Sequence, residues 1–129
     1  MIPEYFTNVE VLTFNDYHQC EKSLLKYLPL LKKLRTLLWQ CHYLPEYLLL
    51  KCLESAKSLQ KLDLSTRHNS RGFWLKKINN LTHLKISNYH VIDSEIFSEF
   101  CRNNETLKYL DIGHCSGLNE ENIGDIVKY

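Results

Sequence analysis

The chain has 129 residues, 44% hydrophobic and 24% charged, a length and composition that suit one globular domain over residues 1–129. Sixteen basic and fifteen acidic residues leave a formal charge of +1, which gives no overall electrostatic footprint for nucleic acid or an anionic membrane. No uninterrupted apolar run reaches 18 residues, and Met1-Ile2-Pro3-Glu4-Tyr5 lacks the basic and apolar regions of a secretory leader.

In chain order, five segments repeat one apolar pattern. They are Val9-x-x-Leu12-x-Phe14, Leu34-x-x-Leu37-x-Trp39, Leu59-x-x-Leu62-x-Leu64, Leu81-x-x-Leu84-x-Ile86 and Leu107-x-x-Leu110-x-Ile112. Their first residues, 9, 34, 59, 81 and 107, are separated by 25, 25, 22 and 26 positions. Three segments are extended by an apolar residue three places earlier: Leu31, Ala56 and Ile78. Apolar residues at places one, four and six predict a strand with those places inward and places three, five and seven outward.

Between the strands the period becomes helical. Leu24, Leu25 and Leu28 predict a helix that stops at Pro29. Pro45-Glu46-Tyr47 opens another, in which Leu49, Cys52, Leu53 and Ala56 form a stripe at i, i+3, i+4 and i+7. The segment Ser65 to Asn80 is short, basic and interrupted by Gly72, so a loop or one brief turn is expected, with Phe73, Trp74 and Ile78 covering the core. Asp93 or Ser94 can cap a helix striped by Ile96, Phe97, Phe100 and Cys101. Asn119 can cap a last one, with Ile123, Ile126 and Val127 inward. Strands joined by helical crossovers are parallel, and the crossover is right-handed. Strands stack about 4.8 Å apart whereas helices need roughly 8–10 Å, so the stack curves with its sheet on the concave side and helices on the convex side.

Outward place three carries Val11, Thr36, Lys61, His83 and Tyr109; place five carries Thr13, Leu38, Asp63, Lys85 and Asp111; place seven carries Asn15, Gln40, Ser65, Ser87 and Gly113. Asp63, Lys85 and Asp111 are expected side by side. They are read either as a charge ladder that keeps the sheet hydrated or as a polar patch beside the anchors His83 and Tyr109. The candidate partner-binding residues are Lys61, Asp63, His83, Lys85, Tyr109 and Asp111.

Five cysteines and six histidines raise a metal or catalytic reading. Cys41-His42 and His114-Cys115 lie three repeats apart, roughly 14 Å by strand spacing. That is too far for one zinc ion with bonds of about 2 Å. No G-x-S-x-G, H-E-x-x-H or phosphate-cradling glycine loop occurs, so no cofactor, metal or catalytic residue is expected. An enzyme built on Cys or His is the least favoured reading. The odd, scattered cysteines, with no C-x-x-C, suit reduced thiols in the cytoplasm or nucleus. Asn80-Leu81-Thr82 and Asn104-Glu105-Thr106 are read as chance matches to the glycosylation triplet. Arg67-His68-Asn69-Ser70-Arg71, with Phe73-Trp74 and Lys76-Lys77 behind it, mixes cations and aromatics as single-strand binders do. It is read instead as a solvated loop tethered by its aromatic pair.

The spacing falls within the roughly 20–29 residues of leucine-rich repeats. Leu107-x-x-Leu110-x-Ile112 with Cys115 at the ninth place, then Ser116-Gly117-Leu118-Asn119 and the Ile123/Ile126 stripe, resembles the cysteine-containing class. Tyr17, His42, Arg67 and Tyr89 stand at the ninth place elsewhere, and Cys41 is one place early. The resemblance implies an α/β leucine-rich-repeat solenoid of about five repeats. It also implies a non-catalytic protein-binding role like that of the substrate-recognition repeats of F-box adaptors in ubiquitin ligases. The expected partner is a protein or peptide on the concave face, with ubiquitin-ligase components a further possibility and no nucleic acid or membrane. An F-box needs residues ahead of the repeats, and Met1 to Asn8 leaves no room for one. The alternative is an assembly factor or fragment docking through uncapped ends, where each half-buried apolar side chain offers roughly 1.5–3 kcal/mol on full burial.

Overall fold

The computed structural model describes residues 8–15, 30–43, 46–67, 72–87 and 92–112. The helices expected around Leu24–Leu28 and after Asn119, together with Pro45, Gly113 and His114-Cys115, lie outside them.

The chain is α/β. Five strands, β1 (Val11–Asn15), β2 (Thr36–Tyr43), β3 (Lys61–Arg67), β4 (His83–Ser87) and β5 (Tyr109–Asp111), form one sheet in the order β1-β2-β3-β4-β5. Every neighbouring pair is parallel. The register joins equal places of the five sequence segments: Leu12 faces Leu37, then Leu62, Leu84 and Leu110. The pairing of β2 with β3 shifts beyond Gln40, where Tyr43 meets Arg67.

One hydrogen-bond unit recurs at each seam. The Glu10 carbonyl accepts from the N–H groups of Arg35 and Thr36, at 2.8 and 2.9 Å. Arg35 O takes Gln60 and Lys61, Gln60 O takes Thr82 and His83, and Thr82 O takes Lys108 and Tyr109, all between 2.7 and 3.1 Å. Each carbonyl thereby receives two N–H groups, which fixes where the next strand begins.

The inward places are buried as the alternation requires. Leu34, Leu59 and Leu81 at place one, Leu37, Leu62 and Leu84 at place four, and Trp39, Leu64 and Ile86 at place six belong to one core. In the first and last segments Val9, Leu12, Leu107, Leu110 and Ile112 are partly buried against it.

Helix α1 (Glu46–Ser55) turns Leu49, Cys52 and Leu53 into this core, and Ala56 completes the stripe just past its end. Helix α2 (Ser94–Asn103) is capped by Asp93, whose Oδ1 accepts from Glu95 N–H at 3.0 Å and Ile96 N–H at 3.3 Å. Glu95 in its first turn and Arg102 in its last both complement the helix dipole. Buried Ile92 and Phe97 flank the cap at the positions of a hydrophobic staple.

The crossover from β3 to β4 is the short one. It contains a 3-10 turn, Phe73–Lys77, packed between α1 and α2. A 3-10 turn advances about 2.0 Å per residue against 1.5 Å for an α-helix, so fewer residues span the layer. Gly72 starts it at φ 91°, and a Cβ there would come within 3.3 Å of Ile92 Cγ2. Trp74 and Ile78 are buried as expected. Phe73 is not: it is 51% exposed, and Leu75 takes the inward position. In a turn of three residues, Trp74 and Leu75 share the core side while Phe73 faces Lys76, whose Nζ is 5.8 Å from the ring centroid.

Among the described residues the buried polar one is Asn104, 2% exposed, at the place held by Leu31, Ala56 and Ile78 in earlier segments. Elsewhere the place-one N–H bonds back to that place: Leu34 to Leu31 O, Leu59 to Ala56 O and Leu107 to Asn104 O. At Leu81 the Asn104 side chain intervenes. Its Oδ1 accepts from Leu81 N–H at 2.9 Å, and its Nδ2 donates to Ile78 O at 3.1 Å and Phe100 O at 2.9 Å. The turn between Ile78 and Leu81 is correspondingly opened, with Asn80 at φ 64°. This burial closes Asn104 to glycosylation in the folded chain. Asn104→Ala leaves three buried backbone groups without partners and is expected to cost about 2–4 kcal/mol by denaturant unfolding. Asn104→Asp keeps the acceptor but loses both donors and buries a charge, so it should also destabilise.

Candidate functional site

The outward places form continuous columns. Val11, Thr36, Lys61, His83 and Tyr109 pair in succession, and so do Thr13, Leu38, Asp63, Lys85 and Asp111. All six candidate residues therefore share one face of β3, β4 and β5, in two rows of three with strands about 4.8 Å apart. Gln40 pairs with Ser65 and Ser65 with Ser87 in a third row.

The geometry within the rows is specific. The His83 and Tyr109 rings stack, with centroids 5.9 Å apart and planes 23° from parallel. Thr82 Oγ1 is 2.9 Å from His83 Nδ1 and 3.0 Å from Gln60 O, so the ring is held from behind by the seam hydroxyl. Tyr109 remains 49% exposed despite the stack, leaving aromatic surface for a ligand.

Beside this pair is an open depression of about 270 Å³. Lys61, Asp63, His83, Lys85 and Tyr109 line it together with Thr36 and the apolar Leu38, while Leu37 and Leu62 border it with their side chains buried in the core. Asp111 continues the charged row beyond the rim. The contribution of Thr36 and Leu38 was missed by attention to charge, although Leu38 is the only leucine in either outward column and was itself the signal.

Asp63 is partly buried, and this desolvation pushes its carboxyl above the ordinary 3.8. Lys85 draws it back down, and Asp111 adds to the rise. A carboxylate held this way opposes folding at neutral pH, a strain common where groups are reserved for binding.

The cysteine chemistry differs. Cys52 is buried and its thiol is pushed up to about 12 by loss of hydration, partly offset by a backbone hydrogen bond. Such a thiol holds negligible thiolate at neutral pH. Cys101 is also buried. Among the described residues no three of His, Cys, Asp and Glu converge to hold a metal ion. No described helix is long and apolar enough to cross a membrane. Compared with known protein families and with curated proteins, the chain matches none.

Asp63→Asn is expected to raise thermal stability at pH 7. The unfolded carboxyl ionises first as pH rises past 3.8, so the native chain carries the full cost only above its own raised value. The advantage of the variant should therefore shrink on acidification through that window and vanish below 3.8, measured as the difference in melting temperature. Native-state alkylation with a thiol reagent should leave Cys52 unmodified at pH 7.5, and unfolding should expose it.

Proposed function

We propose that the chain is a right-handed leucine-rich-repeat solenoid whose sheet is its concave wall. It acts as a non-catalytic protein-binding module, similar in role to the substrate-recognition repeats of F-box adaptors in ubiquitin ligases. The repeat reading is supported by successive parallel pairing at intervals of 22–26 residues, with one seam hydrogen bond repeated four times.

The binding reading is carried by the depression between the stacked His83–Tyr109 pair and Asp63. It joins an aromatic anchor, an apolar side and groups of both charges in one place, a combination typical of interface hot spots. Such a face suits a folded partner or peptide that brings an apolar side chain to Leu38 and polar groups to the Asp63–Lys85–Asp111 row.

A photo-crosslinking residue at Leu38, introduced in the native cell, would identify the partner that lies over the depression. With that partner purified, Lys85→Ala, Tyr109→Ala and Asp111→Ala combined should weaken binding at least about tenfold while leaving the melting transition in place. Unchanged affinity would move the site off this face. Co-purification of a cullin and its adaptor with the chain tests the ligase role separately, and their absence from a partner-bound complex would remove it.

A further inference from the structure

A second surface lies at the turns that lead into the strands, and none of its described lining residues lines the depression beside the aromatic pair. Two depressions of about 550 and 470 Å³ adjoin there and share Lys57, Leu59 and Asn80. Lys32, Lys33, Arg35, Lys57 and Lys77 line them against two carboxylates, Glu10 and Glu54. Glu10 already lies 3.6 Å from Arg35 Nε. Among the described residues five cations less two anions give this groove +3, within a chain whose whole net charge is +1.

The charge is ordered by the repeat. The turn residues just ahead of place one are Lys32-Lys33, Lys57-Ser58, Asn79-Asn80 and Glu105-Thr106. Their formal charges run +2, +1, 0 and −1 from one seam to the next. The positive end therefore coincides with the two depressions, where like charges repel until an anion joins them.

We propose that this groove binds an acidic peptide segment in extended form, its carboxylates over Lys32, Lys33 and Lys57 and its less charged end over Asn79 and Asn80. Three seams span about 10 Å, which an extended chain covers in three to four residues. Asn79 and Asn80 supply exposed amide groups to a peptide backbone, Ser58 offers a hydroxyl oxygen whose proton goes to Lys32 O, and the buried Leu59 and Ile78 lie beneath the floor. A single-stranded nucleic acid would find no aromatic platform among the described residues, since no ring of theirs lines either depression. A bilayer would need projecting apolar side chains, and none of the exposed ones among the described residues, Val11, Leu30, Tyr47, Phe73 and Tyr109, lies in the groove.

The test is fluorescence anisotropy with a labelled peptide of four glutamates flanked by Gly-Ser, titrated with the full chain at low and physiological salt. Binding should exceed that of an all Gly-Ser peptide and weaken with salt. Lys32→Glu, Lys33→Glu and Lys57→Glu combined should weaken it tenfold or more with the melting transition retained, whereas arginine at the same three positions should preserve it. Lys61→Glu with Lys85→Glu, on the open sheet face, should leave it unchanged, which separates this site from the one proposed above. Binding no better than the neutral peptide, or insensitive to the three reversals, overturns the proposal. So does tighter binding of an oligo-dT of four nucleotides or of phosphatidylserine vesicles through the same lysines.

Discussion

Each strand is placed by a single carbonyl that receives two N–H groups from the next one. Glu10, Arg35, Gln60 and Thr82 supply these carbonyls in turn, and their side chains have nothing in common. The backbone therefore carries the periodicity at the seam, while side chains such as Thr82, whose hydroxyl meets His83 Nδ1, add contacts particular to one seam. What the side chains do fix is phase. A slip of one residue would send Leu37, Leu62 and Leu84 into water and bring Lys61, His83 and Lys85 into the core. The seam hydrogen bonds and the apolar alternation agree on one register, and that agreement puts six polar or aromatic residues of three distant segments side by side.

Two of the departures from regularity lie next to each other. The β3–β4 crossover is short and replaces a full helix with a 3-10 turn anchored by Trp74 and Leu75. The turn that follows, from Ile78 to Leu81, is opened, and the Asn104 amide from the next segment fills the opening. A polar residue is favoured in this core only because both ends of its amide are occupied there. An apolar side chain at 104 would leave Leu81 N–H and Ile78 C=O unmatched, so the irregular segment and the buried asparagine depend on each other.

Much of this was legible in the sequence, because it follows from period alone. The five segments, the inward and outward places, the side-by-side order of the charged row and the stripes of both described helices can be read from where leucines recur. Asp93 rather than Ser94 caps α2, a choice the sequence left open. Four things were not legible. Which side chain of Phe73-Trp74-Leu75 turns inward depends on the phase of a 3-10 turn, which no repeat sets. Asn104 looks like a surface residue until its three partners are brought to it by two other segments. The partial burial of Asp63 arises from neighbours on β2 and β4 together, and neither is near it in the chain. The basic groove escaped for a related reason: Lys32-Lys33, Lys57 and Lys77 are separate in sequence, and a net charge of +1 conceals them.

Strong strand packing in this sheet runs only between chain-successive strands. Tension applied at the two outer strands and directed across the sheet would thus load the seams in series. Rupture would come as a staircase of small events instead of one break. The junction bolted by Asn104 would part only when its side-chain bonds to Leu81 N–H and Ile78 O break along with the strand bonds.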